Sequence, residues 1–299
     1  MNSSVVFFII FGLFGAGAAL ADPQAKVKRH EALLRVQAVI TPDASTRVLQ
    51  LSETMQIAEI LSVMRQEGFD YGKSLEEEMF PGKGGAAWEA TVDRIYDVTA
   101  MKAVFDAALL AELGAVKPAT INVMDAFFAS SRGQKILTLE IEARRALLDQ
   151  DTEDAAKVHV EELAAKDDPR LQLIRKFAEA NDLVEMNVAG ALNANLAFFK
   201  GLAEGGGFEN QMTEQDMLTN VWSQEAAIRD ETQTWLYPYL AMAYQPLSDD
   251  DMKAYLAFSD LDAGKALNAA TFAAFNNLFT TISADLGRAA AKQMRGENI

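Results

Sequence analysis

The sequence predicts an all-α, multi-helical protein with no β-sheet, built as a tandem duplication of one helical unit. Three observations carry this. Near the end of the chain Phe272, Phe275, Phe279, Ile282 and Leu286 recur at steps of three and four, which places them on one face of a helix. Nowhere does an apolar/polar alternation bounded by turn residues run long enough to make a strand. Set against itself at a shift of 131, the chain matches in two separated segments: Met55, Ile57, Ala58 and Leu61 face Met186, Val188, Ala189 and Leu192, and Ala126, Phe127, Gly133 and Ile136 face Ala257, Phe258, Gly264 and Leu267. The preserved distance between an early helix and a later Phe-x5-Gly pattern argues for two copies.

Helix starts are marked by capping pairs, Thr213 with Asp216 and Ser248 with Asp251, in which the hydroxyl accepts a bond from an amide that the helix leaves unpaired. Breaks fall at Pro42-Asp43, from Phe80 to Gly85, at Pro118, at Asp167-Asp168-Pro169 and from Gly205 to Gly207. The glycine runs Gly82 to Gly85 and Gly205 to Gly207 read as corresponding interhelical loops of slightly different length. The charge-rich run from Gln150 to Asp154 marks a unit boundary, giving a first helical unit at 22–150 and a second at 151–299. Val158, Leu163 and Ala164 lend the boundary a weak helical face, so a short connecting helix is expected there.

Residues 1–21 are predicted to be a signal peptide. From Val5 to Leu20 the chain is apolar or small, and Ala19-Leu20-Ala21 ahead of Asp22 and Pro23 fits the small-x-small cleavage rule, so the mature chain is expected to begin at Asp22 in the periplasm or outside the cell. Lys26, Lys28 and Arg29 follow the apolar run, where positive charge resists translocation, and an uncleaved anchor is the alternative. No later stretch reaches the ~20 apolar residues of a membrane-spanning helix, so no integral span is expected after cleavage.

Composition narrows the chemistry. The 299 residues, 50% of them hydrophobic, suffice for one large core or two smaller ones. With 43 acidic against 27 basic residues the formal charge is −16, which repels phosphate backbones and anionic headgroups and argues against nucleic acid as a partner. The absence of cysteine removes disulfides, thiolate metal sites and thiol nucleophiles together. Only His30 and His159 offer imidazole, without the spacing of a zinc hydrolase, and no Gly-x-Ser-x-Gly elbow is present. Gly72-Lys73-Ser74 fails as a phosphate loop because Glu67 stands where the first glycine is required. Asp260 and Asp262 resemble half of a calcium loop that lacks its closing acid. No cofactor, metal or catalytic residue is therefore assigned.

The segment Met124-Asp125-Ala126-Phe127-Phe128-Ala129-Ser130-Ser131-Arg132-Gly133-Gln134-Lys135-Ile136 resembles the signature of domain of unknown function 2059, found in exported bacterial proteins: an aromatic pair, a serine, usually a proline, and Gly-x-Lys opening the next helix. Ser131 stands where that proline is expected. Leu247 to Met252, leading to Phe258 and Ala263-Gly264-Lys265, resembles it in a more diverged form. The resemblance implies a small helical domain in an envelope compartment and brings no known reaction or ligand. Physically the motif is a joint between two helices, with Phe127 and Phe258 as core anchors, Gly133 and Gly264 ending a helix or admitting close backbone approach, and Lys135 and Lys265 beside them.

The most suggestive candidate surface is Trp235-Leu236-Tyr237-Pro238-Tyr239 with Tyr244. Trp235 and Tyr239 share a helical face and Pro238 removes a hydrogen bond, a combination that opens an aromatic-lined groove, with core packing as the other use of these rings. The expectation is thus an exported binding or interaction module of the bacterial envelope, for an unknown protein or a small apolar ligand. A carboxylate-only hydrolase acting on envelope glycans and a purely structural envelope protein are the rival classes.

Overall fold

The computed structural model describes residues 42–208 and 212–296, and every regular element among them is an α-helix. The segment predicted to be a signal peptide, the expected start at Asp22 and His30 lie outside the described residues. In chain order the helices are α1 (Pro42–Thr54), α2 (Ile57–Met79), α3 (Gly85–Ile95), α4 (Val98–Leu113), α5 (Pro118–Phe128) and α6 (Ser131–Ala146). Then come α7 (Gln150–Ala165), α8 (Pro169–Ala180), α9 (Leu183–Glu204), α10 (Glu214–Trp222), α11 (Glu225–Tyr244), α12 (Asp249–Asp260) and α13 (Asp262–Met294).

Local chemistry sets the boundaries. Thr213 and Ser248 each form a full capping box with the aspartate three residues on, at the starts of α10 and α12. Asp97, Ser130, Asp149 and Asp168 cap α4, α6, α7 and α8 through their side chains. Pro118 and Pro169 open α5 and α8, where a missing amide costs nothing. The loops after α2 and α9 turn through Gly82 and Gly206, at φ of 71° and 73°, a region that side chains with a Cβ avoid. The boundary segment is the helix α7, whose Val158 is exposed and which buries only Ala156.

The centre of the molecule is α13. Its 33 residues make a rod about 50 Å long. On one side it lies against α9 with almost no separation: a Cβ added at Gly201 would strike the Ala284 carbonyl, and one at Gly287 would strike the Phe198 carbonyl. On another side it meets α4, where Phe105 and Phe275 place their ring centroids 4.6 Å apart. Phe272, Phe275, Phe279, Ile282 and Leu286, the stripe visible in the sequence, are all buried. The larger of two apolar clusters runs from Val48 to Ala291 and draws on helices from both sides of α7, and a smaller one joins Val188, Ala191 and Leu192 of α9 to Val221 and Ile228.

The two motif joints, α5 to α6 and α12 to α13, meet within this core. Pro118 and Asp249 begin the first helix of each joint and Ser131 and Asp262 the second, so both starts are 131 positions apart. At each joint the glycine sits against a carbonyl that a Cβ would strike, Gly133 against Phe127 and Gly264 against Phe258. The chain can double back there only where no Cβ intervenes. No helix among the described residues is long and apolar enough to cross a membrane.

Candidate functional site

A groove of about 650 Å³ opens between α2, α6, α7 and α11. One wall comes from α2, which presents Glu67, Asp70, Tyr71 and Ser74 at helical spacing. Gly68, on the same helix, has the Tyr96 ring pressed where a Cβ would stand, so the absence of a side chain lets Tyr96 enter the wall. Gly72 is used in the same way: Val92 fills its Cβ position, and Trp88 Nε1 donates to its carbonyl at 2.8 Å. Gly72-Lys73-Ser74 is therefore an interior turn of a helix that packs on α3.

The end of α6 adds Arg144, Leu147 and Leu148, α7 adds Glu153 and Lys157, and α13 closes the groove with Phe279. The opposite wall is α11, with Asp230, Glu231, Thr234 and Trp235. Arg144 is nearly buried and grips both Glu67 oxygens, at 2.7 and 2.6 Å, a fork geometry that ties α6 to α2 beneath the groove. Burial, and then the Glu67 charge, push the Tyr96 hydroxyl well above its ordinary range, so it stays protonated. Burial likewise raises the Glu231 carboxyl.

Of the four aromatic side chains that the sequence offered for a groove, Trp235 lines it. It is half-buried and stacks on Tyr239 with centroids 4.8 Å apart and planes 15° from parallel. Tyr239 and Tyr244 belong to the core instead, a correction with a clear physical cause. Their hydroxyls need a buried acceptor, and Glu140 on α6 supplies it: Tyr244 donates to Oε1 at 2.7 Å and Tyr239 to the Glu140 carbonyl at 3.3 Å. Tyr255 donates to the same Oε1 at 3.3 Å. Tyr237 packs partly buried against the core outside the groove.

Glu140 is the residue that sequence reading missed. Its carboxyl is fully buried, and burial pushes it up to about 8 against the opposing effect of the Tyr244 and Tyr255 hydrogen bonds. A signal existed: Ile136, Leu137, Glu140, Ile141 and Arg144 share one face of α6, so both charged residues interrupt an apolar stripe.

The motif residues hold the joints. Phe127 and Phe258 lie face to face, Ser130 accepts from the Gly133 amide at 3.0 Å, and Lys135 donates to the Pro246 carbonyl at 3.1 Å. Gly264 admits the second bend, and Lys265 is exposed to solvent. His159 stands beside Pro238 and Met242 in a separate shallow depression. Among the described residues no three histidine or acidic side chains are grouped to hold a metal ion.

Fold and site together define an all-α protein with an aromatic-walled, acid-bearing groove. No protein-family model, curated protein or solved structure matches the chain.

Proposed function

We propose that the chain is an exported binding or interaction module of the bacterial envelope, and that its ligand occupies the groove beside Trp235. The observation that carries this reading is the groove itself. Its volume of about 650 Å³ suits a small molecule, and its walls set the aromatic rings of Trp235, Tyr71, Tyr96 and Phe279 beside charged and polar side chains that can orient a ligand.

Export is supported by the apolar run Val5 to Leu20 and by Ala19-Leu20-Ala21. The resemblance of the Phe127 to Lys135 segment to domain of unknown function 2059 agrees with an envelope location. A duplication at residues 22–150 and 151–299 is supported by the matched helix starts and by the shared role of Gly133 and Gly264.

Native purification from the envelope followed by mass spectrometry tests the reading. A small molecule that accompanies the parent and is lost from a Trp235→Ala variant supports it; a ligand retained equally by both proteins overturns the site. Amino-terminal sequencing of the same material should begin at Asp22, and an intact Met1 form in the cytosol would overturn export.

A hydrolase acting on envelope glycans is the second reading, and Glu231 is what favours it. A carboxyl raised by burial, next to Asp230 and in one groove with Asp70, has the make-up of a two-carboxylate site. Glycan cleavage by the parent that disappears in Glu231→Gln would establish it.

A further inference from the structure

The charges in the groove do not balance. Five carboxylates line it against two cations. Glu67 gives both oxygens to Arg144, and Glu153 holds Lys157 at 2.7 Å, so both cations are engaged. That leaves Asp70, Asp230 and Glu231, none of which forms an ion pair among the described residues. Glu231 Oε2 is moreover sealed from solvent and accepts no hydrogen bond among them.

These acids are interleaved with aromatic and apolar surface. Glu231 and Trp235 stand one helical turn apart on α11, as do Asp230 and Thr234, and Asp70 is next to Tyr71 on α2. One face of the Trp235 ring is covered by Tyr239. Electron-rich ring faces attract cations, and more strongly where water is excluded. An anionic ligand would add to the repulsion among three carboxylates. A neutral apolar ligand would strip water from them and return nothing. A ligand with an apolar body and one positive head meets both parts of the wall.

We propose that the groove takes an amphipathic organic cation, its ammonium or guanidinium head set among Asp70, Asp230 and Glu231 and its apolar body against Trp235, Tyr71 and Leu148. This rests on the reading of the groove as the binding site.

The test is calorimetric titration of the full chain with three probes that share a naphthylmethyl body and differ in the head: naphthylmethyl trimethylammonium, naphthylmethanol and naphthylacetate. The ammonium should bind about tenfold more tightly than the alcohol and the carboxylate most weakly, with the margin shrinking as salt is added. Combining Asp70→Asn, Asp230→Asn and Glu231→Gln should abolish that margin, and Trp235→Ala should weaken the ammonium and the alcohol together. Equal binding of ammonium and alcohol, both lost in Trp235→Ala, would overturn the cation and keep the site. A margin that survives the triple substitution also overturns it. Binding of no probe overturns both readings.

Discussion

Phe127 and Phe258 lie face to face, with ring centroids 4.1 Å apart and planes 11° from parallel, although 131 residues separate them in the chain. Each ends a helix one turn before a bend that only glycine permits, so the two bends are fixed against each other. Phe128 and Tyr255 complete the cluster around them.

Truncating this stack should be costly, and unequally so. Phe258 is buried, and Phe258→Ala should lose about 3–5 kcal/mol through lost contacts and the cavity left behind. Phe127 is only half-buried, so Phe127→Ala should lose about 1–2 kcal/mol. Urea unfolding of both single variants and the double variant reads the coupling. A Phe258→Ala protein as stable as the parent would contradict the anchor role.

Trp235→Ala is the contrast. Its ring is part of a groove wall and not of the buried cluster, so its loss should reduce stability by less than that of Phe258. Thermal unfolding of the two variants side by side decides this, and equal damage would make Trp235 ordinary core.

The bends make a sharper prediction still. Gly264→Ala drives a methyl into the Phe258 carbonyl, which is backbone and cannot swing aside, and should cost about 1–3 kcal/mol. At Gly190, in the middle of α9, an added Cβ meets nothing within 4 Å. Gly190→Ala should therefore stabilise by about 0.5–1 kcal/mol through helix propensity. Matching effects at the two positions would show that space at the bend is not what selects glycine.

Stability should fall with rising pH through Glu140. The folded protein holds this carboxyl's proton up to about 8, whereas the unfolded chain releases it near 4.5. Between those values the unfolded state has fewer bound protons, so the folded state loses ground progressively and the loss levels off above pH 8. Glu140→Gln keeps an acceptor for Tyr244 and Tyr255 but cannot ionise. Denaturant midpoints of parent and variant from pH 4 to 9 should diverge across that window; parallel curves would remove Glu140 as their cause.

Much of the architecture was legible because its signals are local. The stripe from Phe272 to Leu286 and the capping pairs at Thr213 and Ser248 depend on neighbours within a turn or two, and the structure places each accordingly. The site was half-legible. Trp235 could be singled out, but helical spacing says which residues share a face and not what lies across from it. Tyr239 and Tyr244 thus read as groove aromatics until Glu140, about a hundred residues away, supplied the acceptor that holds them inside. The facing wall of Glu67, Asp70 and Tyr71 on α2 is likewise far from Trp235 in sequence, and no pattern along the chain joins them.

Helix α13 is flanked by α9 on one side and α4 on another, and α7, which joins the two sets of helices along the chain, buries only Ala156 and packs mainly on α11. The two sets of helices are therefore held to each other by their packing along α13 and not by the continuity of the chain through α7. A protease that cuts α7 near the exposed Val158 should leave two fragments that still travel as one particle. The same two pieces made separately would each display a long greasy seam and should be soluble only when produced together.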